Sequence, residues 1–129
     1  DFIGFADRID FNENGVEIID YKTGRTNISV KNRNWQLGFY ALAAGETYGR
    51  VRKVVLDMLK QERPLEFVID NSGNAKCVSS TFIDGFNIFK IKDELIKSAL
   101  SIKEAYKNGF KPCSIDKNCS FCNEYVYGL

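Results

Sequence analysis

Two short runs near the start of the chain carry the residues best suited to chemistry. They are Gly4-Phe5-Ala6-Asp7 and Ile18-Ile19-Asp20-Tyr21-Lys22, on either side of the turn-forming Asn12-Glu13-Asn14-Gly15. In the first, Ile3, Phe5, Ile9 and Phe11 alternate with Phe2, Gly4, Ala6 and Arg8, the period of two expected of an extended strand. Asp7 falls in the middle of the apolar row, where a carboxylate is costly to bury unless a charged or hydrogen-bonding group meets it. In the second, Val16, Ile18, Asp20 and Lys22 share one face, and Glu17, Ile19 and Tyr21 the other. The same interruption therefore occurs twice.

The turn decides how the two rows meet. A two-residue turn at Asn14-Gly15, favoured because both positions need positive φ, sets Asp7 opposite Lys22 and Ile9 opposite Asp20. A longer loop from Asn12 to Gly15 sets Asp7 directly opposite Asp20. Both registers keep Asp7, Asp20 and Lys22 on one face, because both preserve the parity of the pairing; a β-bulge would break it. Opposed side chains have Cβ atoms about 4.5 to 5.5 Å apart, so two carboxylates there can share one ion. Mg²⁺ takes oxygen ligands at about 2.0 to 2.1 Å and keeps several waters, so two carboxylates and a backbone carbonyl suffice on the protein side. Lys22 is then in reach of a bound water or a phosphate oxygen, a combination suited to metal-assisted phosphodiester hydrolysis. A solvent-exposed salt bridge across the hairpin is the rival. It explains Asp7 and Lys22 without chemistry, but explains less well why the polar residues interrupt apolar rows.

Other elements must hold these strands in place. A helix is expected from about Asn32 or Asn34 to Glu46, apolar around most of its girth and so heavily buried, with Gln36 and Tyr40 on one face as its polar tips. Val51 to Leu59 reads as a strand, and the helix before it allows it to lie parallel to one of the first strands. Leu65 to Asp70 and Ala75 to Ser79 flank the hairpin signal Asn71-Ser72-Gly73-Asn74. Cys77 sits mid-strand as a buried, inert thiol. A long helix is expected from about Asp84 to Asn108. Ile88, Ile91, Leu95, Ala99, Ile102 and Tyr106 form its inner row, and Lys90, Glu94, Lys97, Ser101, Glu104 and Lys107 face outward. That lysine face is either simply solvated or tracks a phosphate backbone.

The 129 residues suffice for one domain with a single core, and the start inside an expected strand suggests a piece of a longer protein. Eighteen basic and seventeen acidic residues nearly cancel, so nucleic-acid binding would have to come from local placement of charge. Histidine is absent, which excludes Ser-His-Asp and Cys-His hydrolysis within this chain. With no apolar run of membrane-spanning length and no signal-peptide pattern, a cytoplasmic protein without membrane contact is expected. The tail 110–129 holds Cys113, Cys119 and Cys122; Cys119-x-x-Cys122 is metal-ligand spacing that Cys113 can join. Three thiolates do not fill a tetrahedral site, so the fourth ligand is missing, replaced or supplied by Cys77. Plain structural thiols fit the spacing about as well.

The motifs Gly4-Phe5-Ala6-Asp7-Arg8-Ile9-Asp10, Ile18-Ile19-Asp20-Tyr21-Lys22-Thr23-Gly24 and Gln36-Leu37-Gly38-Phe39-Tyr40, in that order, resemble the PD-(D/E)XK nuclease superfamily. They look closest to its RecB-like branch, which includes AddB and CRISPR-associated RecB-like exonucleases. The ending around Phe110-Lys111-Pro112 and Cys119-x-x-Cys122 is similar to the cysteine-bearing tail of that branch. The resemblance implies an α/β (α+β) fold, a restriction-endonuclease-like core in which a central mixed β-sheet is flanked by helices. It implies that Asp7 and Asp20 hold Mg²⁺ or Mn²⁺, that the Tyr21 carbonyl joins them, and that Lys22 orients or activates the attacking water. Gln36 and Tyr40 would position the nucleic-acid strand, and Cys113, Cys119 and Cys122 would be ligands of an iron-sulfur cluster in an intact protein. The expected function is exonucleolytic hydrolysis of DNA in repair, recombination or defence, beside a helicase or other domains. The alternatives are a non-catalytic nucleic-acid-binding module on the same scaffold and a structural metal domain built on the tail thiols.

Overall fold

The computed structural model describes residues 3–24 and 28–109. The chain divides into two compact units, Asp1–Glu94 and Leu95–Leu129. The first contains a six-stranded mixed sheet, β1 (Arg8–Asn12), β2 (Gly15–Lys22), β3 (Val51–Met58), β4 (Leu65–Ile69), β5 (Asn74–Cys77) and β6 (Phe86–Asn87), and the helix α1 (Val30–Tyr48). Helix α2 (Ile88–Asn108) starts in this unit and ends in the second. The strands lie in chain order across the sheet. Only the β2–β3 pair is parallel, because α1 carries the chain back between them; every other neighbouring pair is antiparallel.

Alternation along the strands sorts the sheet into two faces. Val16 and Ile18 of β2, Val54 and Leu56 of β3, Phe67 and Ile69 of β4, and Ala75 and Cys77 of β5 all point inward. Leu37, Ala41 and Ala44 of α1 close over them. Burying each of the Val, Leu, Ile and Phe side chains among them stabilises the fold by about 1.5 to 3 kcal/mol. The other face is charged: Lys53 Nζ lies 2.9 Å from Glu66 and 3.9 Å from Glu17, on the two neighbouring strands.

The first hairpin takes the register expected of the longer loop but closes one pair further, to a two-residue tip. Asn12 pairs with Gly15, leaving Glu13 and Asn14 at the tip, and the side chain of Asn12 accepts from the Asn14 amide at 2.9 Å. Gly15 has φ 128, and a Cβ there would lie 2.7 Å from the Arg50 carbonyl oxygen, so a larger residue would strain the turn and push β3 away. Strand β1 begins only at Arg8. The alternation of Ile3 and Phe5 is therefore not strand pairing, and these residues are 80% and 84% exposed.

The helices differ from expectation in extent and in burial. α1 begins at Val30 because the Ser29 hydroxyl accepts from the Asn32 amide at 3.2 Å and caps the first turn. Its burial is one-sided: Leu37, Gly38, Ala41 and Ala44 are inside, Ala43 is exposed, and Trp35 reaches out to donate to Glu94 at 2.7 Å. Apolar composition overstated the buried arc because small alanines can sit in water at little cost. Arg33 is the charged residue inside α1, 7% exposed, its guanidinium 5.3 Å from the Phe67 ring and two of its nitrogens donating to Asn34. α2 starts at Ile88, not Asp84, because Phe86–Asn87 first add a strand to the sheet edge; the Asn87 side chain then accepts from the amides of Phe89 and Lys90. Of its expected inner row only Ile91 is buried, while Ile102 and Tyr106, in the second unit, are exposed. Among the described residues no helix is long and apolar enough to cross a membrane.

Candidate active site

The hairpin register selects between the two pairings left open by the sequence. Arg8 faces Ile19 and Ile9 faces Ile18, so one further step sets Asp7 across from Asp20. Regular pairing would next bond the Tyr21 amide to the backbone of Ala6. Instead the Asp7 carboxylate takes that amide, with Oδ2 2.7 Å from Tyr21 N, and the ladder ends there. A side-chain oxygen has replaced a carbonyl, which is why the strand starts one residue after Asp7.

The backbone of β2 shows which way its peptide groups point. Val16 N donates to Arg50 O at 3.0 Å and Lys22 O accepts from Leu59 N at 3.1 Å, so the even-numbered residues face β3. Tyr21 therefore faces the β1 side, where its N–H meets Asp7, and its carbonyl lies on that same side. The two carboxylates therefore meet at the end of the hairpin, next to the Tyr21 peptide.

Asp20 is 3% exposed, the last inward-facing residue of β2 before Lys22. Burial pushes its carboxyl above the usual carboxylate range; Lys22 opposes this, and the nearby Asp7 charge adds to it. Lys22 Nζ lies 2.8 Å from Asp20 Oδ2. Apart from this ion pair, that buried oxygen has no hydrogen-bond partner among the described residues. A buried carboxylate met by a single ammonium, beside a second carboxylate, keeps lone pairs that a hard cation can use. Among the described residues no three His, Cys, Asp or Glu side chains gather into a metal-binding group. A cation here would accordingly be held by Asp7, Asp20, the Tyr21 carbonyl and water, a donor set that Mg²⁺ accepts.

Gln36 and Tyr40 hydrogen-bond to each other at 3.1 Å on the half-buried side of α1. Among the described residues neither bonds to Asp20 or Lys22. Tyr40 instead supports the segment leading into Asp7: a Cβ on Gly4 would lie 3.3 Å from its ring and closer still to Phe39. Only glycine lets that segment lie so near the helix. Cys113, Cys119 and Cys122 lie outside the described residues. Two features had escaped the sequence analysis. The Asp7 bond to the Tyr21 amide has no signal beyond the aspartate itself. The loop 59–64, bonded to the carbonyl of Lys22, was marked by Lys60-Gln61-Glu62-Arg63 directly after an apolar strand.

A mixed sheet whose edge hairpin brings two acids and an amine together at one end has the residue types that metal-assisted hydrolysis requires. A family model of the PD-(D/E)XK nuclease superfamily matches residues 1–124, and the chain belongs to that superfamily. Its fold is the restriction-endonuclease-like α/β fold, it is a nuclease-type domain, and such nucleases typically use divalent metals. The comparisons with curated proteins and with solved structures each returned no match.

Proposed function

We propose that the protein is a Mg²⁺- or Mn²⁺-dependent deoxyribonuclease of the RecB-like branch, an exonuclease acting in DNA repair, recombination or defence in the cytoplasm. The observation that carries this is the convergence of Asp7, Asp20 and Lys22 at the end of one hairpin, with the Tyr21 carbonyl turned to the same side. Asp7, Asp20 and Tyr21 would hold the cation. When bound, it would lower the pKa of a coordinated water and offset charge developing on the phosphate oxygens.

The chain's own residues supply the rest. Asp7, tied to the β2 backbone, is fixed in direction. Asp20 is held in its rotamer by burial. Lys22 places its Nζ beside the acids, 2.8 Å from Asp20 Oδ2, and orients the attacking water. The Gln36–Tyr40 pair, supporting the segment before Asp7, positions the nucleic-acid strand. Cys113, Cys119 and Cys122 would serve as ligands of an iron-sulfur cluster in the intact protein, with DNA and a helicase or other domains as partners.

The test is digestion of end-labelled linear DNA, single- and double-stranded, beside covalently closed circles, with Mn²⁺ present. The expected result is stepwise loss from linear ends with the circles intact, and no digestion by Asp20→Ala or Lys22→Ala. Cutting of circles would make it an endonuclease. Equal cutting by the variants would remove the assignment. Among the described residues no third acidic side chain joins Asp7 and Asp20, which favours a second reading, a non-catalytic nucleic-acid-binding module that salt-dependent DNA binding without cleavage would support.

A further inference from the structure

The loop between β3 and β4 hangs over the same end of the sheet as Asp20 and Lys22. β2 and β3 run parallel with Lys22 beside Met58, the last residue of β3, and β4 begins at Leu65, so residues 59–64 form the turn just past the end of β2. The loop is fastened there: Leu59 N donates to Lys22 O at 3.1 Å, and Gln61 N to Met58 O at 2.7 Å. Lys60 is therefore one Cα step, about 3.8 Å, from a residue bonded to the Lys22 backbone. Lys60 and Arg63 are exposed, as is Leu59. The ion pairs among the described residues involve Arg8, Lys22 and Lys53, and neither loop cation is engaged in one.

Two uncommitted cations beside a nuclease-type site on a near-neutral chain have a clear use. The net charge of +1 gives no general attraction for a polyanion, so affinity has to be local. We propose that Lys60 and Arg63 form a phosphate clamp, holding the nucleic-acid backbone next to the phosphodiester that Asp7, Asp20 and Lys22 address. Arg63 suits a phosphate bidentately and Lys60 as a point charge. The loop's two backbone bonds fix its base while leaving both side chains free to follow the strand. Both are positioning residues, and the inference rests on the nuclease reading above.

The experiment is binding of a fluorescein-labelled single-stranded DNA 20-mer to the intact protein across a salt series, with Ca²⁺ in place of Mg²⁺, followed by Mg²⁺ kinetics. The variants are the double substitution Lys60→Ala with Arg63→Ala, and Lys76→Ala as control, since Lys76 lies on β5 on the opposite face of the sheet. Losing two phosphate contacts should lower the slope of log K against log salt by about 1.4, at roughly 0.7 per contact on single strands. KM should rise about tenfold or more at moderate salt with kcat largely kept, and the control should match the unsubstituted protein. An unchanged slope in the double variant of an active protein overturns the clamp alone. An unsubstituted protein that neither binds nor cuts DNA overturns the nuclease reading and the clamp with it.

Discussion

Asp20→Asn should abolish metal-dependent cleavage while leaving the metal-free protein as stable as before, or more stable. Asp20 is buried, one of its oxygens meets only the Lys22 ammonium, and burial already favours its protonated form. A carboxyl whose pKa is raised in the folded state ionises first in the unfolded chain. Stability therefore falls as pH rises from near 4, the unfolded value, through the higher folded value, and stays lower above it. The amide removes this penalty and keeps the shape. Lys22 loses its ion-pair partner but is partly solvent-accessible, so its amine can turn to water. Removing one transition-state stabiliser typically lowers kcat by about 10² to 10³, and loss of a cation ligand should reach at least the upper figure. Rate and thermal midpoint should thus move in opposite directions, as expected where function is held at the expense of stability. A drop in midpoint of several degrees alongside the lost rate would mean that Asp20 is structural.

Phe67→Ala should be the most damaging change to the fold. Its side chain is 0% exposed at the centre of β4, with the Phe86 ring centroid 5.2 Å away and the Arg33 guanidinium over its face at 5.3 Å. Truncating a buried phenylalanine costs about 3 to 5 kcal/mol, against a total of about 5 to 15 for a domain of this kind. Arg33 would also lose its aromatic partner and be left beside a cavity. Urea unfolding should show the midpoint falling with the slope unchanged. If the alanine variant does not accumulate, Phe67→Leu should fold and lose less, because more of the volume is kept. A loss under 1 kcal/mol in Phe67→Ala would show that β4 is not where the core is held.

Much of this was legible in the residues. Alternation in β2 put Asp20 and Lys22 on the buried face, and both candidate registers kept Asp7 with them. The Asn71 to Asn74 turn was equally plain, since Asp70 accepts from the amides of Ser72 and Asn74 and glycine takes the positive φ at 73. What local pattern could not supply was competition between partners. Nothing in Ile3 and Phe5 says that Asp7 will take the Tyr21 amide and end the strand. Nothing in the girth of α1 says which alanines face water, and the apolar row of α2 does not reveal which of its turns are covered. The contact between loop 59–64 and Lys22 joins residues far apart in the chain, so no spacing rule reaches it.

The central claim is that Asp7 and Asp20 together hold one divalent cation. Isothermal titration of Mn²⁺ into the protein, beside Asp7→Asn and Asp20→Asn, tests it without relying on catalysis. Saturable binding that both substitutions weaken at least tenfold is the predicted outcome. Binding unchanged in either variant, or none in the unsubstituted protein, would contradict it.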